Sequence, residues 1–201
     1  YLGGAHLTQG DMNGPDSART VLRNPAVETA VLEVGYEGIL CSGLGYDSAD
    51  VVVITQISDS HCDLDGIDNV RALIRLNAVV ANSVRSEGSI VLNADDERCV
   101  EIGTQARERV IYFSMCAENP MVGKHVCAGG QAVVLRQGAG GKGIYLFDGR
   151  RTALMFNEDI PARFDERGRS STARLAAAAA CAALDIDSTS IGLGLCGFGR
   201  Q

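Results

Sequence analysis

The chain has 201 residues, of which 46% are hydrophobic and 21% charged, and its formal net charge is −7. This length and mixture exclude a disordered chain and indicate one globular domain over residues 1–201 with a sizeable core. The acidic balance, without a cluster of Lys and Arg, argues against nucleic acid as a partner, and the apolar runs are too short to span a membrane.

The first part of the sequence contains two helical patterns and two strand patterns. Residues 17–22 predict a short helix, for which Asp16 is the expected N-cap. Residues 30–34 and 51–57 are apolar runs rich in β-branched side chains, which is typical of strands buried on both faces of a parallel sheet. Between residues 68 and 84 the apolar side chains recur at helical spacing, which predicts a helix.

The middle of the sequence predicts a strand, a helix and a second strand. Residues 89–93 and 109–113 are apolar strand candidates, and residues 97–107 lie between them as a helix candidate. Strands that alternate with helices at this spacing indicate a βαβ core. The predicted fold class is therefore α/β, with a doubly wound, mostly parallel sheet.

The last third predicts an antiparallel hairpin at the edge of that sheet, followed by a helix. Residues 132–135 and 144–147 are apolar runs on either side of a glycine-rich turn at 138–143. The Asp-Gly pair at 148–149 is a further turn signal. Residues 172–184 include five consecutive alanines and predict a helix.

The cysteines indicate a reducing compartment. Seven cysteines at irregular spacing include no Cys-x-x-Cys pair, which favours free thiols. The sequence begins without the pattern of a signal peptide, and we expect a cytoplasmic protein. Because the first residue is not Met, we also expect the chain to be cut from a longer one.

Polar residues follow two of the predicted strands. Glu33 lies near the end of the run at 30–34, and His61 comes after the run at 51–57. Ligands of a doubly wound sheet collect beyond the carboxyl ends of its strands. A carboxylate and an imidazole there could hold a divalent cation beside a nucleotide phosphate, although Mg²⁺ prefers oxygen ligands. The alternative is that Glu33 joins a loop hydrogen-bond network and that His61 is an exposed loop residue.

Four motifs follow one another in a distinctive order. They are GDMNGPDSAR at residues 10–19, EVGYEGIL at 33–40, GLGYD at 43–47 and LNADD at 92–96. Together they resemble the Mur-ligase-type region of the cyanophycin synthetases. The pattern of that family is Gly-Asp-x-Thr-Gly-Pro-x-Ser-Ala-Arg, Glu-x-Ala-Arg-Gly-Gly-Ile-Leu, Gly-Leu-Gly-Tyr-Asp and Leu-Asn-Ala-Asp-Asp, and the resemblance covers nearly the whole chain.

The resemblance implies the fold of a Mur ligase central domain and the activity of an ATP-dependent carbon–nitrogen ligase. In that family ATP phosphorylates a carboxylate, and an amine attacks the acyl phosphate. The reaction adds arginine to the aspartate side chains of a polyaspartate backbone, as a step of amino-acid polymer biosynthesis. The implied cofactors are ATP and Mg²⁺, the implied partners are arginine and the polymer, and the complete protein is expected to be a homo-oligomer.

The resemblance also implies site residues. Glu33 and His61 would each hold one Mg²⁺, and Asn93 and Asp96, in the fourth motif, are the candidates for binding the nucleotide cofactor. No residue is assigned as catalytic.

The chain departs from the family pattern in several places. The phosphate-binding loop of the family, Gly-x-x-x-x-Gly-Lys-Thr/Ser, has no counterpart, because the Gly-Gly-Lys-Gly run at 140–143 lacks both its spacing and the final hydroxyl residue. The Asp that precedes the family's His is Ser60 here, and the Arg that follows Glu-x-Ala is Tyr36. The family's helix Lys, which bridges metals in a modified form, corresponds to Asn77.

These departures leave two main hypotheses open. The first is an N-terminally truncated part of an active ligase that is inactive on its own. The second is a degenerate, non-catalytic module retained for structure, oligomerisation or polymer docking. A stand-alone α/β domain that binds a small molecule is a third, weaker reading.

Overall fold

The computed structural model describes residues 14–59, 67–138, 141–149, 151–157 and 169–197. Within these ranges the helices and strands follow the order α1 (Pro15–Leu22), α2 (Tyr36–Ser42), β1 (Ala49–Ile54), α3 (Val70–Ala81), β2 (Val84–Asn93), α4 (Glu97–Gln105), β3 (Arg109–Ser114), α5 (Pro120–Cys127), β4 (Gln131–Gly138), β5 (Gly141–Asp148), β6 (Arg151–Asn157), α6 (Arg169–Ala183) and α7 (Ser188–Gly197). None of these helices is long and apolar enough to cross a membrane.

The contacts within the chain divide it into two compact units. The first unit comprises Tyr1–Ala49 and Ser58–Ser83, and it holds the first three helices. The second comprises Asp50–Ile57 and Val84–Gln201, and it holds the sheet, apart from the first residue of β1, and the last four helices. The single domain expected over residues 1–201 stays a prediction.

The start of α1 differs from the prediction. Gly14 is the N-cap, and Pro15 occupies the first turn. Asp16 lies inside that turn and accepts a hydrogen bond from Arg19 Nη1 at 2.9 Å. The prediction that Asp16 is the N-cap is wrong because Pro15, whose fixed φ suits the first helical position, begins the helix earlier.

The strand predicted over residues 30–34 is wrong. The segment is irregular, and Val31 is 96% exposed. A strand requires neighbouring backbone groups with which its own N–H and C=O groups can pair. The sheet of the described residues offers this segment no such partner, so its β-branched side chains do not produce a strand.

The sheet has six strands in the order β1-β2-β3-β4-β5-β6. β2, β3 and β4 are parallel, and β5 and β6 continue the sheet in antiparallel pairings. Asp50 forms a 2.8 Å ion pair with Arg85 near the start of β1 and β2, and Asn93 contacts Thr55 at their ends, so these two strands also run in the same direction. The predicted mostly parallel sheet with an antiparallel edge hairpin is confirmed.

Helices cover both faces of the sheet, which confirms the doubly wound arrangement. On one face α6 and α7 pack against buried side chains that include Val91, Phe113 and Val133. Side chains alternate between the faces of a strand, so Leu92 and Tyr112 point to the opposite face. A Cβ at Gly103 of α4 would meet both of these side chains. The tight packing at Gly103 therefore places α4 directly against the second face of the sheet.

Most predicted elements are present with shifted ends, and four elements were missed, namely α2, α5, β6 and α7. β2 begins at Val84, which the sequence pattern had assigned to the end of the helix predicted between residues 68 and 84. The α5 helix was overlooked although Asn119 caps it and Pro120 opens it. The α7 helix contains three glycines, which disfavour a helix. There the close approach of Gly192 to the Met155 carbonyl requires a residue without a side chain. The missed β6 strand completes the edge of the sheet through the tight turn after Asp148.

Candidate functional site

Two candidate site residues lie where β2 ends and α4 begins, Asn93 as the last residue of β2 and Asp96 as the N-cap of α4. The Asn93 Oδ1 accepts a hydrogen bond from the Asp95 N–H at 2.9 Å. Its Nδ2 donates to the Thr55 carbonyl at 3.0 Å, just beyond the end of β1. Both ends of the Asn93 amide therefore bind the chain itself.

Asp96 uses both carboxylate oxygens in the same turn. As the N-cap of α4 it accepts the Arg98 N–H on Oδ1 at 2.9 Å. Its Oδ2 accepts the Ile57 N–H at 2.8 Å, and Arg98 Nη1 donates to the Ile57 carbonyl at 2.6 Å. The turn after β2 consequently holds the backbone beyond β1 on both its N–H and its C=O side.

Asp95, the neighbour of Asp96, makes the matching contacts with the end of β3. It accepts hydrogen bonds from Ser114 Oγ at 2.6 Å, from the Met115 N–H at 2.7 Å and from Asn119 Nδ2 at 2.9 Å. The two adjacent carboxylates thus connect the end of β2 to the ends of both neighbouring strands. Sequence reasoning missed Asp95, and the only signal for this role was its position directly after a strand.

Glu33 lies in the first unit, on the irregular segment that precedes α2, and its side chain is exposed. The expectation that it follows a strand is wrong because residues 30–34 form no strand. Glu33 instead lines a shallow crevice that encloses about 210 Å³, open solvent included, together with Pro15 and Tyr46. An exposed carboxylate at a crevice is chemically able to accept a hard cation.

Two of the distinctive motifs meet at this crevice. Gly45 has a φ of +78°, and a Cβ placed on it would overlap the Pro15 carbonyl oxygen and lie 2.7 Å from the Pro15 Cα. Only glycine combines that backbone conformation with so close an approach. The first motif, through Pro15, and the motif at residues 43–47, through Gly45, are therefore packed against each other, with Glu33 on the same surface.

Asn77 is buried and forms hydrogen bonds within the first unit. Its Nδ2 donates to the Tyr36 hydroxyl at 3.1 Å and to the Leu73 carbonyl at 2.8 Å, and the residue is only 7% exposed. Both partners are neutral. The helix Lys and the Arg implied by the resemblance are thus replaced here by a neutral hydrogen-bonded pair, which connects α2 to α3.

His61 lies outside the described residues, so its predicted metal role stays a prediction. Within the described ranges no three His, Cys, Asp or Glu side chains are grouped closely enough to hold a metal ion.

In the second unit, burial shifts the pKa of the buried Cys99 and of the half-buried His125. Burial, and secondarily the nearby Asp96 carboxylate, raise the pKa of Cys99 to about 12, so its thiol stays protonated. His125 contacts the Val110 carbonyl through Nε2 at 3.1 Å and packs edge-on against the Tyr112 ring. Burial lowers the pKa of His125, which keeps its ring neutral.

Comparison with known proteins identifies the family of the chain. The family model of the Mur ligase middle domain matches residues 4–139. The chain belongs to this family. The matched range contains all four predicted site residues, Glu33, His61, Asn93 and Asp96, and it covers β1 to β4. The strands β5 and β6 and the last two helices lie beyond it.

The most similar relatives include several cyanophycin synthetases. The chain is 41% identical over 138 residues to the cyanophycin synthetase of Nostoc sp. (strain PCC 7120), an alignment that covers 69% of this chain and 15% of the relative. It is 37% identical over 162 residues to that of Geminocystis herdmanii, covering 80% of this chain and 18% of the relative. The chain thus spans less than a fifth of the length of these relatives.

Proposed function

We propose that this chain is the middle domain of an ATP-dependent ligase that resembles the cyanophycin synthetases. The complete protein would activate a carboxylate as an acyl phosphate and join it to an amine. The substrates proposed are arginine and the aspartate side chains of a polyaspartate backbone, and a homo-oligomer in the cytoplasm is proposed for the complete protein.

The observation that carries this proposal is the packing of Gly45 on Pro15. It brings together residues of two of the four motifs that carry the resemblance, and Glu33, the first residue of a third motif, is exposed at the crevice beside them. Bound Mg²⁺ would neutralise negative charge on the transferred phosphoryl group. Glu33 would contribute one oxygen ligand to that ion, and His61 is proposed as the ligand of a second. The resemblance implies that Asn93 and Asp96 act on the nucleotide side of the site, and because both already bind the chain itself, an indirect role is proposed for them there.

The chain alone is proposed to be inactive. The sequence lacks the loop pattern whose backbone N–H groups and Lys would hold the β- and γ-phosphates. Calorimetric titration of the 201-residue chain with Mg²⁺–ATP should accordingly give no binding tighter than about 100 µM, which corresponds to about 5.5 kcal/mol. A tighter dissociation constant would contradict this part of the proposal.

The test of the whole proposal is a Glu33→Ala substitution in the complete protein. We expect the rate of arginine addition to fall at least tenfold, or about 1.4 kcal/mol in the barrier. Glu37→Ala is the matched control, because Glu37 is also exposed and lies in the first turn of α2 but does not line the crevice. If both variants retained the wild-type rate, Glu33 would have no metal role.

A second candidate function is a non-catalytic module that serves structure, oligomerisation or polymer docking. The observation that favours it is the neutral Asn77–Tyr36 pair, because a carboxamide and a phenol supply no bridging carboxylate for a metal. An inactive complete protein that still binds the polymer in a co-sedimentation assay would support this second function over the first.

A further inference from the structure

The chain beyond β1 leaves the sheet but is held in one conformation. Thr55 and Gln56 are exposed, whereas Ile57 is only 1% exposed. The three residues are irregular, so no ladder of strand hydrogen bonds fixes them. Their position must therefore come from side chains or from packing.

Three side chains at the junction of β2 and α4 supply that support. Asn93 binds the Thr55 carbonyl, Asp96 binds the Ile57 N–H and Arg98 binds the Ile57 carbonyl, at 3.0, 2.8 and 2.6 Å. Each of these contacts joins residues that are 38 to 41 positions apart in the sequence. We call this group of Asn93, Asp96 and Arg98 the strand-end clamp.

The clamp residues already have partners for the atoms that a ligand would use. Asp96 directs one carboxylate oxygen to the Arg98 N–H and the other to the Ile57 N–H. Asn93 uses both its carbonyl oxygen and its amide nitrogen. Carboxylate hydrogen bonds of this kind are among the stronger ones in proteins, so a ligand would have to compete with them.

We propose that Asn93, Asp96 and Arg98 are positioning residues that fix Thr55 and Gln56 at the ligand edge of the sheet, and that Asp96 is not itself a metal or nucleotide ligand. The ligand edge is the carboxyl end of the parallel strands, where ligands of such sheets bind. Two exposed polar side chains are presented there between the buried Ile54 and Ile57. The inference rests on the proposed function only in naming this edge as the ligand-binding one.

The test uses Asp96→Ser, with Asp95→Ser as its matched control. Serine is as good an N-cap as aspartate, so helix α4 keeps its cap, but the shorter side chain cannot reach Ile57. Hydrogen–deuterium exchange would be measured by mass spectrometry on the complete protein. In Asp96→Ser, exchange in the peptide that contains Ile57 should accelerate at least tenfold, while the peptide that contains Met115 stays at the wild-type rate.

The control should give the reverse result, because Asp95 holds Met115 and not Ile57. Unchanged exchange at Ile57 in Asp96→Ser would overturn the proposal. So would acceleration spread evenly over the whole sheet, since that would indicate a loss of global stability only.

A second measurement separates positioning from metal binding. In the complete protein carrying Asp96→Ser, the Mg²⁺ concentration that gives the half-maximal rate should stay within about twofold of wild type, whereas loss of a metal ligand should raise it tenfold or more. A rise of that size would overturn the proposal. If the wild-type protein adds no arginine at all, the proposed function fails, and the exchange experiment still decides whether the clamp exists.

Discussion

Removal of the Asn77 amide tests how much the neutral pair in the first unit contributes to stability. In Asn77→Ala both N–H groups of the amide are lost, and with them the hydrogen bonds to Tyr36 and to the Leu73 carbonyl. A hydrogen bond contributes about 1 kcal/mol net. Alanine recovers about 0.6 kcal/mol through its higher helix propensity. We therefore expect the free energy of unfolding to fall by about 1.5 kcal/mol.

The assay is urea and thermal denaturation of the 201-residue chain, each followed by circular dichroism. For a chain of this size the expected loss lowers the melting temperature by about 3–6 °C. Arg75→Ala, at an exposed position of the same helix, is the control and should stay within about 0.5 kcal/mol of wild type. Equal stability of Asn77→Ala and wild type would refute the assignment of Asn77 as a buried hydrogen-bonding residue.

A double-mutant cycle isolates the contact between the two side chains. Tyr36→Phe removes only the hydroxyl partner and should cost about 1 kcal/mol. If the hydrogen bond is real, the double variant should be about 0.5–1 kcal/mol less destabilised than the sum of the two single variants. Strict additivity would show that the two side chains do not interact.

In an active complete protein the rate of arginine addition per folded molecule should change little in Asn77→Ala, because asparagine carries no bridging carboxyl group.

Two further predictions concern backbone strain and pH. Gly45→Ala should destabilise the chain by at least about 1 kcal/mol more than Gly43→Ala, since both residues have positive φ but only Gly45 abuts Pro15; denaturation curves that coincide would contradict the close packing. The free energy of unfolding should fall as the pH drops below about 6.5, the ordinary pKa of His, because burial lowers the pKa of His125 in the folded state and only the unfolded chain readily takes up the proton. This decrease should be smaller in His125→Gln, and an unchanged pH dependence would show that another group causes it.

The core of the fold could be predicted because its signals are local. The β-branched run at β1 and the apolar spacing at α3 each predict the element from only a few neighbouring residues. The same rule failed for residues 30–34, because a strand pattern specifies a side-chain arrangement and not a pairing partner. In α7 the packing of Gly192 on Met155 outweighed the low helix propensity of its glycines.

The site was less predictable because its contacts join distant parts of the sequence. Asn93 and Asp96 were identified as important from their place in a motif, but their partners Thr55 and Ile57 lie about 40 residues earlier. No periodicity relates such positions. The position of Glu33 was predicted from a strand that does not form. Its place at the crevice depends instead on the contact between Gly45 and Pro15, which are distant in the sequence.

The opposite directions of Asp95 and Asp96 have a consequence for how this turn tolerates change. The Asp95 carboxylate binds the backbone just after β3, and the Asp96 carboxylate binds the backbone just after β1. The order of the two residues therefore matters as well as their chemistry. An inserted residue between them would shift both carboxylates relative to their partners while leaving the composition of the motif almost intact. A substitution of Asp95 or Asp96 should therefore weaken the contact with only one neighbouring strand end, whereas a single insertion between them should weaken both contacts.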